Sequence, residues 1–274
     1  MATMTINCAG IYQQYSSCGF EPTVARVLRA QDAVGLPEEA YVHRLIAERR
    51  PTTVLDIGCG YGGFVRALAK KAPGVRFVGI DNDAQRISAA LSNPGMENVS
   101  LHSASIQDKE TREEFLPNAD IALMRYTYQH INDPTLLGQI KPLLKKGALV
   151  LVIEGYQALN HEYPRRGPYT DFLRRLEAFY EKIGSDIHVA PQLPVLFRQA
   201  GYHHVNMDLL GCSNLSEGIE EAFFDMIIGT AWLIHTVDST IMSKDVVEAL
   251  ALNLEVHQKD TLFTMPSALV SGIN

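Results

Sequence analysis

The sequence predicts an α/β protein built on a doubly wound, mostly parallel sheet, and three observations carry that reading. Continuous Val/Ile/Leu-rich runs recur at Thr53–Ile57, Arg76–Ile80, Val99–His102, Ile121–Met124 and Ala148–Ile153. Amphipathic stretches separate them, at Phe64–Lys71, Ala84–Ser92, Thr111–Leu116 and Thr135–Leu144. Strands that are apolar throughout and alternate with helices belong to a parallel sheet covered on both faces. Right-handed crossovers then wind the helices onto both sides. The third observation is the stretch Val54-Leu55-Asp56-Ile57-Gly58-Cys59-Gly60-Tyr61-Gly62-Gly63-Phe64, an apolar strand running through an acid and a glycine-dense turn into a helix.

The flanks are read in the same way. Residues 1–20 are polar and contain Tyr, Gln and Ser, and give no strong strand or helix signal. Pro22–Ala30 has a helical pattern, and Pro37 opens a second helix that stops before Pro51. Beyond Gly155 the alternation breaks. Tyr156–Pro168 reads as a long loop, Asp171–Ile183 and Gln192–Gln199 as helices, and Val205–Leu210 as a strand. Two helices at about 217–235 and 244–257 precede a last strand, Leu262–Ser271. The expected organisation is an N-terminal helical segment or lid over 1–50, a ligand-binding core over 51–155, and substrate-side helices with closing strands of the same domain over 156–274.

Composition narrows the class. A net charge of −7 with basic pairs scattered among acids argues against a nucleic-acid surface, which needs clustered Lys and Arg. No apolar run reaches the length of a membrane span. The four cysteines show no metal-type spacing and read as reduced thiols of a cytoplasmic protein; no metal is expected. A homodimer exchanging its polar N-terminal segment is compatible with the chain.

Ligands on such sheets bind at the carboxyl ends of the strands. Gly58, Gly60 and Gly63 formally satisfy G-x-G-x-x-G, the dinucleotide fingerprint. Asp81, at the end of the second strand, suits the hydroxyls of a ribose and serves NAD and S-adenosylmethionine equally. Asp56 separates the two. A pyrophosphate meets an unhelpful negative charge there, whereas a ligand bearing a sulfonium and an ammonium group is favoured.

Together these residues resemble the class I S-adenosylmethionine-dependent methyltransferases. Val54–Phe64 is similar to the family's first motif and Phe77–Asp83 to its acidic motif. Asp120–Pro134 is similar to the fourth-strand segment of small-molecule members, including quinone-biosynthesis methyltransferases. Gly201-Tyr202 and Phe263–Gly272 resemble the closing antiparallel pair. The resemblance implies a Rossmann-like seven-stranded sheet with helical lid insertions and S-adenosylmethionine as cofactor. It places Gly58, Gly60 and Gly62 under the methionine part and Asp56 near its amino group. It gives Asp81 the ribose, and sets Asn82 beside the adenine. The family often has an acid after the third strand; here the run is His102-Ser103-Ala104-Ser105-Ile106, so Ser105 or its backbone takes the adenine amino group, with Asp108 second.

Arg125, at the mouth of the fourth strand, either pairs with the methionine carboxylate or forms an ion pair with a loop acid. Methyl transfer is an in-line displacement for which alignment supplies much of the rate. Where a proton must leave, His130 is the first candidate base, against a packing or capping role. Tyr126 could orient the acceptor, and Glu154, ending the fifth strand, could bind an amine or receive a proton. The expected function is methylation at O, N or C of a small, aromatic or apolar metabolite, of the secondary-metabolite type. The alternatives are a non-methylating cyclase or binding protein that keeps the cofactor site, and an NAD(P)-dependent dehydrogenase.

Overall fold

The computed structural model describes residues 5–93, 95–131 and 133–274; Asn132, within the fourth-strand segment, lies outside them. Three helices come first: α1 (Cys8–Ser16), α2 (Phe20–Val34) and α3 (Leu36–Arg49). The alternating part follows as β1 (Thr53–Ile57), α4 (Gly63–Lys71), β2 (Arg76–Asp81), α5 (Ala84–Leu91), β3 (Val99–Ser103), α6 (Lys109–Phe115), β4 (Ile121–Arg125), α7 (Leu136–Ile140) and β5 (Leu149–Gly155). Then come β6 (His161–Tyr163), α8 (Pro168–Lys182), α9 (Leu193–Gln199), β7 (His203–Leu210), α10 (Glu220–Val237), α11 (Lys244–His257), β8 (Leu262–Thr264) and β9 (Ser267–Ile273).

The chain divides into two compact units. One comprises residues 37–156, 188–210 and 267–274 and holds a seven-stranded sheet of order β3-β2-β1-β4-β5-β9-β7. Strands β1 to β5 run parallel, and β9 enters antiparallel between β5 and β7. Alternation along each strand feeds two apolar layers. Val54, Phe77, Leu123 and Leu151 meet Val42 and Ile46 of α3 and Val65 and Leu68 of α4 on one face. Leu55, Val78, Met124 and Val152 meet Leu136, Ile140 and Phe197 on the other. Burial of both faces is what the uninterrupted apolar runs encode. At the amino ends of the strands Asp120 accepts from the Thr52 and Thr53 N–H groups and from Lys145 Nζ at 2.7 Å.

The second unit comprises residues 1–36, 157–187 and 211–266 and is largely helical. Phe223, Phe224, Ile227 and Ile228 of α10 form its centre with Tyr15, Phe172 and Phe263. Gly229 marks the closest approach, since a Cβ there would overlap the Tyr15 hydroxyl and Val27.

Four expectations are corrected. Residues 1–20 do contain a helix: Asn7 caps α1 by accepting from the Gly10 N–H, and Cys8, Ile11, Tyr12 and Tyr15 form a buried stripe at helical spacing. The Tyr156–Pro168 loop contains β6, which pairs antiparallel with β8 in a separate two-stranded sheet. The last strand is two strands divided at Met265-Pro266, because Pro266 has no N–H for a ladder and the chain there passes from one sheet to the other. The helix expected to run to Leu144 gives way to a 3-10 turn, Lys141–Leu143, where Pro142 cannot donate the helical bond.

Candidate cofactor and methyl-transfer site

The parallel strands β1, β2, β4 and β5 bring Asp56, Asp81, Arg125 and Glu154 to their carboxyl ends. Leaving β1, the chain turns under β2: the Gly58 and Cys59 N–H groups both donate to Ile80 O, at 2.8 and 3.0 Å. Gly58, Gly60 and Gly62 then adopt left-handed backbone with φ of +78°, +55° and +73°. At Gly58 the requirement is double, because a Cβ would also overlap the Thr127 side chain. Gly62 is the N-cap of α4.

Asp81, 6% exposed, is the anchor of this loop. Its Oδ2 accepts from Gly60 N–H at 2.8 Å and its Oδ1 from Asp83 N–H at 2.9 Å. Each carboxylate oxygen keeps a lone pair for a further donor. Asp56 is 3% exposed behind the glycines. Burial, with the negative charges of Asp56 and Asp81, pushes the Cys59 thiol well above its ordinary range, so Cys59 is an inert small side chain. Asn82 stands exposed after Asp81. Ser105 is half-buried and its Oγ accepts from Gln107 N–H at 3.3 Å, while Asp108 lies exposed. With the N–H groups of Gly58, Cys59, Gly60 and Gly62 already donating within the protein and Asp56 buried beside them, the loop suits a ligand bearing a sulfonium and an ammonium group and suits a pyrophosphate poorly.

Around β4 and β5 the structure adds a residue that sequence reasoning missed. Glu38, in the first turn of α3, has a side chain 5% exposed. Its Oε2 lies 2.6 Å from Arg125 Nε, and its Oε1 accepts from the Tyr126 hydroxyl at 2.6 Å. Of the two readings of Arg125, the ion pair with an acid is present. The acid comes from α3, 87 residues away in sequence. The Arg125 guanidinium also stacks 4.5 Å over the Phe64 ring. Tyr126 has φ of +51°, a left-handed conformation that costs a non-glycine residue roughly 1–2 kcal/mol. Its N–H donates to Ile153 O at 2.8 Å. The sequence carries no signal that singles out Glu38: a helix opening on Pro37-Glu38-Glu39 puts two acids in a first turn, where either serves the helix dipole.

Glu154 is 1% exposed, and its Oε1 accepts from Gln129 N–H at 3.2 Å. Burial pushes its carboxyl up to about 8, against the opposing pull of the Gln129, Tyr128 and Thr127 N–H groups, and the charge of Glu38 adds to the rise. Burial thus favours the protonated carboxyl, which bears on both expected roles of Glu154, binding an amine and receiving a proton. His130 sits in an exposed position. Partial desolvation of its ring and the charge of Arg86 lower its pKa, which favours the neutral imidazole. Its Nε2 lies 3.4 Å from Gln129 Nε2. Among the described residues no group of three His, Cys, Asp or Glu is arranged to hold a metal ion, and no helix is long and apolar enough to cross a membrane.

The parallel sheet closed by an antiparallel pair, with an acid-flanked glycine loop at its carboxyl edge, defines a Rossmann-like methyltransferase fold. A family model described as a methyltransferase domain matches residues 28–206, more than half of the chain. The chain belongs to the class I S-adenosylmethionine-dependent methyltransferase family. It is 31% identical over 156 residues to phosphoethanolamine N-methyltransferase 3 of Arabidopsis thaliana, covering 56% of this chain and 29% of that protein. It is 25% identical over 131 residues to the malonyl-[acyl-carrier protein] O-methyltransferase of Halalkalibacterium halodurans, covering 44% and 48%. The matches thus span less than half the length of these relatives. In fold it is similar to the YcgJ protein of Bacillus subtilis, with a TM-score of 0.57 at 17% identity over 86% of this chain and 97% of that one.

Proposed function

We infer that the protein is an S-adenosylmethionine-dependent methyltransferase acting on O, N or C of a small, aromatic or apolar acceptor. The observation that carries this reading is the charge of the glycine loop. Asp56, a buried carboxylate ending the first strand, stands beside the turn to which a dinucleotide would bring its pyrophosphate, whereas Asp81 suits the ribose of either cofactor. The relatives that share the sequence methylate an amine-bearing and a carboxyl-bearing compound by their names, so the acceptor atom stays open among O, N and C. The bound cofactor supplies an electrophilic methyl group on a sulfonium.

The chain's own residues have distinct tasks in this reading. Asp81 holds the ribose hydroxyls while its other contacts keep the loop folded. The glycine backbone lies under the methionine part, Asp56 faces the amino group, Asn82 and Ser105 border the adenine, and Arg125 lies toward the carboxylate. His130, whose neutral imidazole is favoured, is the candidate able to take a proton directly. Tyr126 orients the acceptor through a hydroxyl held by Glu38. Glu154, whose carboxyl burial pushes up to about 8, is the second candidate to exchange a proton with the acceptor. A cytoplasmic role in secondary metabolism and a homodimeric state are part of the same proposal.

Calorimetric titration with S-adenosylmethionine, S-adenosylhomocysteine and NADH tests the cofactor. Binding of the first two and not the third is expected; binding of NADH alone would overturn the reading. Asp81→Ala is expected to weaken S-adenosylhomocysteine by at least tenfold, about 1.4 kcal/mol, because both the ribose contact and the Gly60 anchor are lost. Unchanged affinity would remove Asp81 from the site.

A further inference from the structure

Glu38 lies on a helix, outside every motif that marks the cofactor site, yet it is the common partner of the two residues at the mouth of β4. One carboxylate oxygen meets Arg125 Nε at 2.6 Å and the other takes the Tyr126 hydroxyl at 2.6 Å. Arg125 in turn lies flat over Phe64, the second residue of α4, immediately after the glycine loop. Tyr126 holds a left-handed backbone that its side-chain anchor helps to maintain. The four residues of this network come from α3 (Glu38), the end of β4 and the position after it (Arg125 and Tyr126) and α4 (Phe64), and the Glu38–Arg125 pair is almost fully withdrawn from solvent, with side chains 5% and 7% exposed.

A guanidinium is a rigid planar fork, so fixing Nε fixes the plane in which its remaining N–H groups point. Stacking on Phe64 removes the one rotation that a single ion pair leaves open. We propose that Glu38 is a positioning residue for the amino-acid end of the cofactor. It touches Arg125 and Tyr126, and through them it sets the wall that meets the methionine carboxylate beside the glycine loop. The inference rests on the cofactor reading above. Burial sharpens the requirement, because an arginine deprived of a 2.6 Å carboxylate partner in a nearly dry site is left with an uncompensated charge and reorients.

Two ligands separate positioning from general stability: S-adenosylhomocysteine, which carries the amino-acid part, and adenosine, which lacks it. In Glu38→Gln, S-adenosylhomocysteine affinity is expected to fall at least tenfold while adenosine affinity stays within twofold. Glu38→Asp, which keeps the charge, is expected to restore part of the loss. Unchanged S-adenosylhomocysteine affinity in Glu38→Gln overturns the inference, and so does an equal loss for both ligands, which a purely structural role produces. Should Glu38→Gln fail to fold, Arg125→Lys keeps the positive charge and removes Nε. It is expected to show the same selective loss, and no loss overturns the inference. If the wild-type protein binds neither ligand, it is the cofactor reading that fails; wild-type binding with insensitive variants sinks the role of Glu38 alone.

Discussion

Glu154 shows how far a strand end can shift a side chain's chemistry. Its Oε1 takes the Gln129 N–H, and its buried Oε2 has no hydrogen-bond partner among the described residues. With the folded pKa raised from 4.5 to about 8, the native state holds a proton that the unfolded chain has released. Between those values the native state binds more protons than the unfolded one, so stability falls as pH rises through the window. Thermal melts from pH 5 to pH 8.5 are expected to show this fall in the wild type and a shallower one in Glu154→Gln. Parallel curves would mean that Glu154 is ionised throughout. The residues at strand ends were legible in the sequence because position alone names them: Asp56, Asp81, Arg125 and Glu154 each end an apolar run. Glu38 was not legible. A glutamate in a first helical turn is ordinarily a solvated partner of the helix dipole, and its burial against Arg125 is a tertiary fact.

At the scale of elements, the β1–α4 turn is the least forgiving segment. Gly58→Ala places a Cβ on a residue with φ of +78° and drives it into Thr127, which itself hydrogen-bonds Arg125 O at 3.1 Å. The substitution is expected to lower stability by about 1–3 kcal/mol and to abolish S-adenosylhomocysteine binding, read by melting temperature and calorimetry. An alanine variant that binds normally would show that the turn can open. The same packing limits β2, where a Cβ on Gly79 would lie 2.7 Å from a Leu101 methyl and 2.8 Å from Cys59 Sγ. Elements with several turns or five apolar residues were read close to their true bounds, since periodicity needs that length. The three-residue strands β6 and β8 fall below it, and only their mutual register, His161 with Thr264 and Tyr163 with Leu262, makes them strands. Helix α1 carried its stripe at residues 8, 11, 12 and 15 but hid it among polar neighbours.

For the molecule as a whole, the division into a sheet unit and a helical unit implies separable reporters. Trp232, the only tryptophan, lies in α10 against Tyr12 and His235, with ring centroids 5.9 and 4.7 Å away, so intrinsic fluorescence reads the helical unit. Gly229→Ala overpacks α10 against Tyr15 and Val27. A loss of about 1–3 kcal/mol in the stability read by fluorescence is expected, and an unshifted denaturation midpoint would mean that the helices part without cost. The seven-stranded, mostly parallel sheet and its closing antiparallel pair were legible from the family resemblance, and the order of its strands was not. The division of the flanking helices between the two units was not, since α2 and α3 are separated by the single residue Gly35 and yet belong to different units.

The strand order also constrains how the chain can be made. Residues 267–273 form β9, which lies between β5 and β7, so β7 has no partner in the sheet until those residues have left the ribosome. Through the synthesis of residues 211–266 the growing chain carries an unfilled β5 edge of seven residues, Leu149–Gly155, six of them buried in the finished protein. An open apolar edge is a template for pairing with other chains. Slowed translation across the α10–α11 region should therefore reduce the soluble yield of this protein, whereas faster delivery of β9 protects it.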